Sequence, residues 1–349
     1  MTPSRDDHAV DASGEPGAGM TPAITVVVPS HDRPLRLRWL LNALTAQTLD
    51  PERFEVIVAH DSRGPETDAL LGDHPLATAG RLRAIAFPAG GAGPSVKRNA
   101  AWRAARARVV LFTDDDCRPP ATWLSAALEA TQSHPAAIVQ GPTAIDPDEV
   151  VVKLHAPHAR TQEVLLADGQ PSVWAQTCNI LYPVSVLEAC DGFDEVLPVA
   201  AGEDTDLAWR ARAQGTSMIA APAMLTYHCV EPAALVAHAR ESWRWQHLPY
   251  LTRKHPGIRR SYAGGGYFWK PQHLRVPYLL GAAALLARRR PLAALACVLP
   301  WALPSLPAYG PGARGRLRAV SELPAHAVLD VVEVAALARG SIRHRSLLL

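Results

Sequence analysis

The 349-residue chain is short of several things that would each have fixed a reading. Its five cysteines (Cys117, Cys178, Cys190, Cys229, Cys297) show no CxxC or metal-finger spacing, which argues against a disulfide framework and a zinc module and for buried thiols in a reducing compartment. No GxGxxG follows the first apolar run, where "PSHDRP" stands instead, so a dinucleotide-binding site is excluded. The glycines of "GGAGPSVKRN" lack the GK[ST] of a P-loop. No repeat of solenoid period is present. The first 23 residues contain no apolar run, so no signal peptide is read there. Residues 1–21 are expected to be a disordered leader and the catalytic part to stay in the cytoplasm.

What is present is enough apolar sequence, 48% of the residues, for one large or two modest domains with a proper core. Residues 23–30, "AITVVVPS", form a β-branched run ending in a proline. Leu37, Leu40, Leu41 and Leu44 then fall on one helical face. "FEVIVAHDS", "LRAIAFP" and "RVVLFTDDD" read as further strands, with helical or loop segments between them. Strands beginning near residues 24, 54, 82 and 108 indicate βαβ units and an α/β fold with a doubly wound, mostly parallel sheet flanked by helices. Further strands are expected over 172–183 and 216–230, with a helix at "EDTDLAWRARA".

In such a sheet ligands bind where strands end. The residues there are Pro29, Ser30, His31 and Asp32 after the first strand, His60, Asp61 and Ser62 after the second, and Asp114, Asp115 and Asp116 after the fourth. All three sets are polar. Three adjacent carboxylates repel one another, and that cost is offset if a hard cation with all-oxygen ligands, Mg²⁺ or Mn²⁺, completes the site. Side chains alternate in an extended segment, so Asp115 should point away from Asp114 and Asp116 and serve structure. The glycine-rich turn before "PSVKRN" brings backbone N–H groups, Lys97 and Arg98 within reach of a phosphate.

The ordered set "VVVPSHDRP", "FEVIVAHDS", "GPSVKRNAA", "VVLFTDDDCRPPATWL", "GFDE" and "GEDTDLAWR" resembles the inverting family 2 glycosyltransferases of GT-A fold, over roughly residues 22–230. The resemblance implies a nucleotide-sugar donor and a metal-dependent, hexosyltransferase type of reaction. It places the base-contacting carboxylate at Asp61, although this chain has His60 where the family often has a first acid. It implies that Arg98 and Asn99 lie near the nucleotide. Asp114 and Asp116 match the outer members of the family's DxD, with Asp116 on the metal and Asp114 toward ribose or a bound water. Asp204 matches the general base, with Glu203 and Asp206 as neighbouring decoys and Arg210 as their ion-pair partner. His228 resembles a histidine that adds a metal ligand in some relatives. Trp174, Asn179 and Phe193 are expected on the acceptor side.

Charge divides the chain. Residues 1–230 hold 18 Lys and Arg against 28 Asp and Glu, whereas residues 231–349 hold 17 against 5. The basic second part contains two apolar runs, 276–287 and 291–306, separated by Arg288, Arg289 and Arg290. Each is shorter than the about 20 residues a helical crossing takes, and a continuous span would bury three charges. Residues 231–349 are therefore expected to be a helical region that lies on or dips into an anionic cytoplasmic leaflet. Nucleic acid would also suit the charge, but the Leu, Ala and Pro stretches favour lipid and no nucleic-acid partner is expected. Asp330 and Glu333 lie opposite Val328, Val331 and Val332, so the last helix is amphipathic. The reading is an enzyme at the inner face of the cell membrane that passes a sugar to a hydroxyl-bearing glycan or lipid-linked acceptor. Two rivals are a nucleotidyltransferase, which would show a glycine-rich basic signature after the first strand, and a membrane-tethered scaffold, which would have lost its acids.

Overall fold

Strands β1 (Ile24–Ser30) and β2 (Phe54–His60) are buried at every position, as parallel strands covered on both faces must be. They are the middle of a mixed α/β fold in the computed structural model, which describes residues 21–156, 159–307, 309 and 312–349. All but the last residue of the expected leader lies outside the described residues. Between β1 and β2, helix α1 (Pro34–Thr45) buries the predicted stripe of Leu37, Leu40, Leu41 and Leu44. Helices α2 (Pro65–Asp73) and α3 (Pro75–Thr78) lead to β3 (Leu82–Ala86), and α4 (Pro94–Arg103) leads to β4 (Val109–Phe112). Then follow β5 (Cys117–Arg118), α5 (Trp123–Ser133), β6 (Ile138–Gln140), β7 (Thr143–Ile145) and α6 (Val150–His155). Elements β8 (Ile180–Pro183), α7 (Val184–Ala189), α8 (Glu203–Ala213), β9 (Met218–Ala220) and β10 (Thr226–His228) complete the two sheets.

The large sheet has the order β3-β2-β1-β4-β8-β6-β9, and a small one the order β5-β10-β7. In the large sheet pairing is parallel except along β8, which runs antiparallel to β4 and to β6. In the small sheet β10 runs antiparallel to β5 and parallel to β7. Side-chain alternation divides the core between the two faces. Ile24, Val26 and Val28 meet α1 and α5 on one face. Val27, Ile57 and Phe112 meet α4, α7 and α8 on the other. After β1 the chain goes to β2 on one side, and later to β4 on the other. Their carboxyl ends therefore flank a topological switch point, where open α/β sheets leave a crevice.

Two expected strands are shorter than the sequence suggested. Of residues 172–183 only 180–183 pair in the sheet, after a 3₁₀ turn at Thr177–Asn179. The run 216–230 is split between β9 and β10 by a turn in which the Met224 N–H donates to the Ala221 carbonyl, carrying the chain from the large sheet to the small one.

The region after residue 230 is helical: α9 (Leu235–Ser242), α10 (Leu248–Lys254), α11 (Val276–Ala287), α12 (Pro291–Ser305) and α13 (Ala313–His344). Leu248, Leu251, Ile258, Tyr262, Leu337 and Leu348 share a core with Trp174 and Trp209 of the preceding part. The amphipathic face of α13 is turned the opposite way from a surface helix. Glu333 is buried against Lys270 and His273 (2.7 and 3.0 Å), and Asp330 accepts from Trp301 Nε1 (2.8 Å), while Val328 and Val331 face outward. The helix also buries Ala319, Ala336, Leu337 and Gly340, and its acids find their partners inside. Among the described residues no helix is long and apolar enough to cross a membrane.

Candidate active site

The carboxyl ends of β1 and β4 open into a cleft of about 720 Å³. Its wall includes Pro29, Ser30, Lys97, Arg98, Asp114, Asp115, Asp116, Trp174, Asp204 and His228, so most of the residues singled out in the sequence converge. The acidic triplet follows β4 after Thr113, in a turn closed by the Cys117 N–H on the Asp114 carbonyl at 3.1 Å. Strand alternation therefore does not govern it, and Arg33 Nη1 reaches both Asp115 and Asp116. Asp115 turns inward, accepting from Ser30 Oγ at 2.7 Å. Burial, reinforced by the charge of Asp116, pushes its carboxyl up to about 7. Asp114 accepts from Arg98 at 2.9 Å.

Asp116 Oδ2 accepts from Arg33 at 2.6 Å, but its buried Oδ1 has no hydrogen-bond partner. That atom lies 3.4 Å from His228 Nε2. The other ring nitrogen, Nδ1, is 3.0 Å from the Cys229 carbonyl and must donate to it, which leaves a lone pair on Nε2 of the neutral ring. With the ring neutral, Asp116 Oδ1 and His228 Nε2 present an O,N donor pair that a cation can bridge. An O,N donor pair with room for further oxygens suits a divalent metal such as Mg²⁺ or Mn²⁺. Cys229 Sγ is near both, and as long as no cation is bound burial raises its thiol well above the usual range. The residues present fit a hard cation.

The first turn of α8 holds three acids with different surroundings. Gly202 precedes it at φ 101°, and a Cβ there would come within 2.9 Å of Leu251 Cδ2, so the entry to the helix needs glycine. Glu203 accepts from Arg98 (2.9 Å) and the Ala201 N–H (2.8 Å). Asp206 is fully buried, yet His255, Lys254 and Arg210 at 2.7–2.8 Å hold its carboxyl down to about 2. Asp204 Oδ1 accepts from Thr205, and its Oδ2 makes no hydrogen bond among the described residues. Burial and the neighbouring charge of Glu203 push Asp204 up to about 7. It is the acid free to take a proton near neutrality.

Arg98 joins the two carboxylate groups. It is 4% exposed and bridges Asp114 to Glu203, so it is a buried link between β4 and α8 and not a surface pair. Lys97 Nζ donates to Asp61 Oδ1 (2.7 Å) and to the Ser30 carbonyl (3.0 Å). Asp61 itself is 3% exposed and lies beneath the cleft wall, accepting also from the Ala92 N–H at 3.2 Å and paired with His31 Nδ1 at 3.0 Å.

Three expectations fail on geometry. Asn99 points away from the cleft, one helical face round from Lys97, and ties down the 191–195 turn through Phe193 and Glu195. Gly192 at φ 66° allows that approach, since a Cβ would come within 2.3 Å of Asn99 Oδ1. Phe193 is in the core, edge-on to Phe112 at 5.1 Å. Asn179 is buried between Trp123 Nε1 and the carbonyls of Pro142 and Met224, so it cannot line an acceptor path. Trp174 does line the cleft, stacked on Tyr262.

Other wall residues were not foreseen. Arg33 reaches Asp116, Asp115 and Glu231 (2.6, 3.5 and 2.9 Å). An arginine next to an acid just after the first strand was its available signal. Arg244, Trp245, Trp269 and Lys270 come from beyond residue 230 and form the far wall, with the two tryptophan rings 4.4 Å apart. Only the tertiary fold brings them there.

Residues 25–190 match the family model described as Glycosyl transferase family 2. The validoxylamine A glucosyltransferase of Streptomyces hygroscopicus subsp. limoneus is 25% identical over 282 residues, covering 72% of this chain and 61% of that protein. The pre-mycofactocin glycosyltransferase of Mycobacterium tuberculosis is 27% identical over 239 residues, covering 66% of this chain and 45% of that protein. The chain thus spans about half to three-fifths of these relatives. Among solved structures, the mannosyltransferase PcManGT from Pyrobaculum calidifontis, in complex with GDP-Man and Mn²⁺, superimposes with a TM-score of 0.55 at 19% identity, over 93% of this chain and 88% of that one. That likeness gives the GT-A fold.

Proposed function

We propose, from the premise that residues 25–190 form a glycosyl transferase family 2 domain, that the chain transfers a sugar from a nucleotide-sugar to a hydroxyl acceptor with inversion. The observation that carries this is the pairing of a cation-ready corner at Asp116 and His228 with a separate unbonded carboxylate oxygen on Asp204, both on one cleft. Inversion needs attack from the face opposite the leaving group. The placement of base and leaving-group site on different elements supports that reading. Arg98, bonded to Asp114 and next to Asp204 in α8, sets their relation. Lys97 and Arg98 line the same cleft, each already paired with carboxylates.

Asp116 and His228 would hold the divalent cation, whereas Asp114 is paired with Arg98 and lies outside that cluster. Such a cation, when bound, supplies neutralisation of charge on the departing nucleoside diphosphate. Asp204 takes the proton of the acceptor hydroxyl. Trp174, Trp245 and Trp269 offer flat apolar faces to the acceptor, and we assign this side to a glycan or lipid-linked hydroxyl at the inner face of the membrane. The domain division at residue 230 follows the family likeness, but the working unit runs across it, because Trp245, Trp269 and Lys270 close the cleft.

The test is the metal dependence of nucleotide binding. Calorimetry with UDP and with GDP should show affinity rising when Mn²⁺ is added. Asp116→Asn should remove most of that rise, because the variant gives up a charged ligand. A variant that binds nucleotide and Mn²⁺ as the parent does would place the metal elsewhere.

A further inference from the structure

Helices α11 and α12 form a hairpin that is strongly apolar and almost without cover. Of its residues only Val276 and Ala282 in α11, and Ala294, Trp301 and Ala302 in α12, are buried. Leu280, Leu286, Leu292, Leu295 and Leu303 are between 59% and 83% exposed. Contiguous exposed apolar surface on this scale marks an interaction face. The hairpin is anchored at its root by the Trp301–Asp330 hydrogen bond, and its two helices approach closely at Gly281, where a Cβ would lie 3.1 Å from Cys297 Sγ.

The surrounding charge says what covers it. No Asp or Glu occurs between Glu241 and Glu322. Arg288, Arg289 and Arg290 stand exposed at the tip, and Arg314 and Arg316 stand exposed at the start of α13. None of these five makes an ion pair among the described residues. A second copy of the chain meeting this face through a two-fold axis would bring arginine against arginine with no acid between them. An anionic lipid surface supplies both an apolar interior and negative headgroups.

We infer that the α11–α12 hairpin docks the protein on an anionic bilayer, with its leucines in the acyl boundary and the arginines at the headgroups. Helices of 12 and 15 residues are about 18 and 22 Å long, short of the about 30 Å hydrocarbon core. The hairpin therefore lies in one leaflet. Lys270, on the cleft wall, is only six residues before α11, so docking brings the cleft to the membrane surface. This deepens the membrane-proximal acceptor reading, but the docking itself does not depend on the chemistry.

Full-length protein should co-sediment with phosphatidylcholine vesicles containing one-third phosphatidylglycerol at low salt, and much less with phosphatidylcholine alone. Replacing Arg288, Arg289 and Arg290 by Gln should weaken binding on the order of a hundredfold. Leu292→Asp combined with Leu295→Asp should weaken it at least tenfold. Both variants alter exposed side chains, so their melting temperatures and nucleotide binding should match the parent, which separates lost docking from lost folding or lost catalysis. Protein that stays in the supernatant with anionic vesicles at low salt overturns the inference. So does binding that neither variant weakens, or a dimer in sedimentation velocity that Leu292→Asp dissolves while no vesicle is bound.

Discussion

Asp204→Asn is expected to bind nucleotide as the parent does and to transfer sugar on the order of 10²–10⁴-fold more slowly, the usual contribution of a positioned general base. The size of the effect follows from the lack of a substitute. Glu203 is held by Arg98 and a backbone N–H, and Asp206 is enclosed by Arg210, Lys254 and His255. With Asp204 raised to about 7 by burial and by Glu203, the proton-accepting form fills as pH rises. The rate of the parent should climb through about pH 7 and then level, and Asp204→Asn should lose that rising limb. Asp206→Asn acts differently: it removes the charge that Arg210, Lys254 and His255 surround, so the cost falls on stability. If a folded Asp206→Asn protein fails to transfer while Asp204→Asn works normally, the base has been misassigned.

Arg98→Met should be among the most destabilising single changes in the chain, at about 3–5 kcal/mol. Removing one member of a buried ion pair leaves the other charge without compensation, and Glu203 is 2% exposed. Asp114 loses its partner as well. The cost is thus that of an orphaned carboxylate more than of a lost attraction. The double variant Arg98→Met, Glu203→Gln should recover a large part of the loss, and the coupling read from a double-mutant cycle in urea should exceed about 1 kcal/mol. Equal unfolding midpoints for parent and Arg98→Met would remove Arg98 as the link between the triplet and α8.

The legible parts of this protein are those where one physical requirement governs a stretch of sequence. β1 and β2 are covered on both faces, and so they appear as runs rich in Val and Ile, in which the buried Thr25 and Glu55 bond each other. The acids at the ends of β4 and at the start of α8 stand out because repulsion and a helix N-terminus make such clusters conspicuous. Asn179 and Phe193 were harder, because position in a pattern does not say which way a side chain turns. Asn179 is held inward by three backbone and side-chain partners from elements far apart in sequence. Arg244, Trp245 and Trp269 reach the cleft only because α13 packs against the segment around them, a contact between residues some ninety positions apart. The amphipathic character of α13 is legible, but periodicity gives the separation of two sides and not which of them meets the core.

The most direct test of the central claim is to incubate the protein with a panel of UDP- and GDP-sugars and Mn²⁺, and to follow phosphorus and anomeric-proton NMR signals. The account predicts release of the intact nucleoside diphosphate, with the transferred sugar, on acceptor or on water, first appearing in the anomeric configuration opposite to that of the donor. Retained configuration would contradict the single-displacement role of Asp204. Failure to cleave any donor, together with pyrophosphate released from a nucleoside triphosphate and a sugar phosphate, would contradict glycosyl transfer itself.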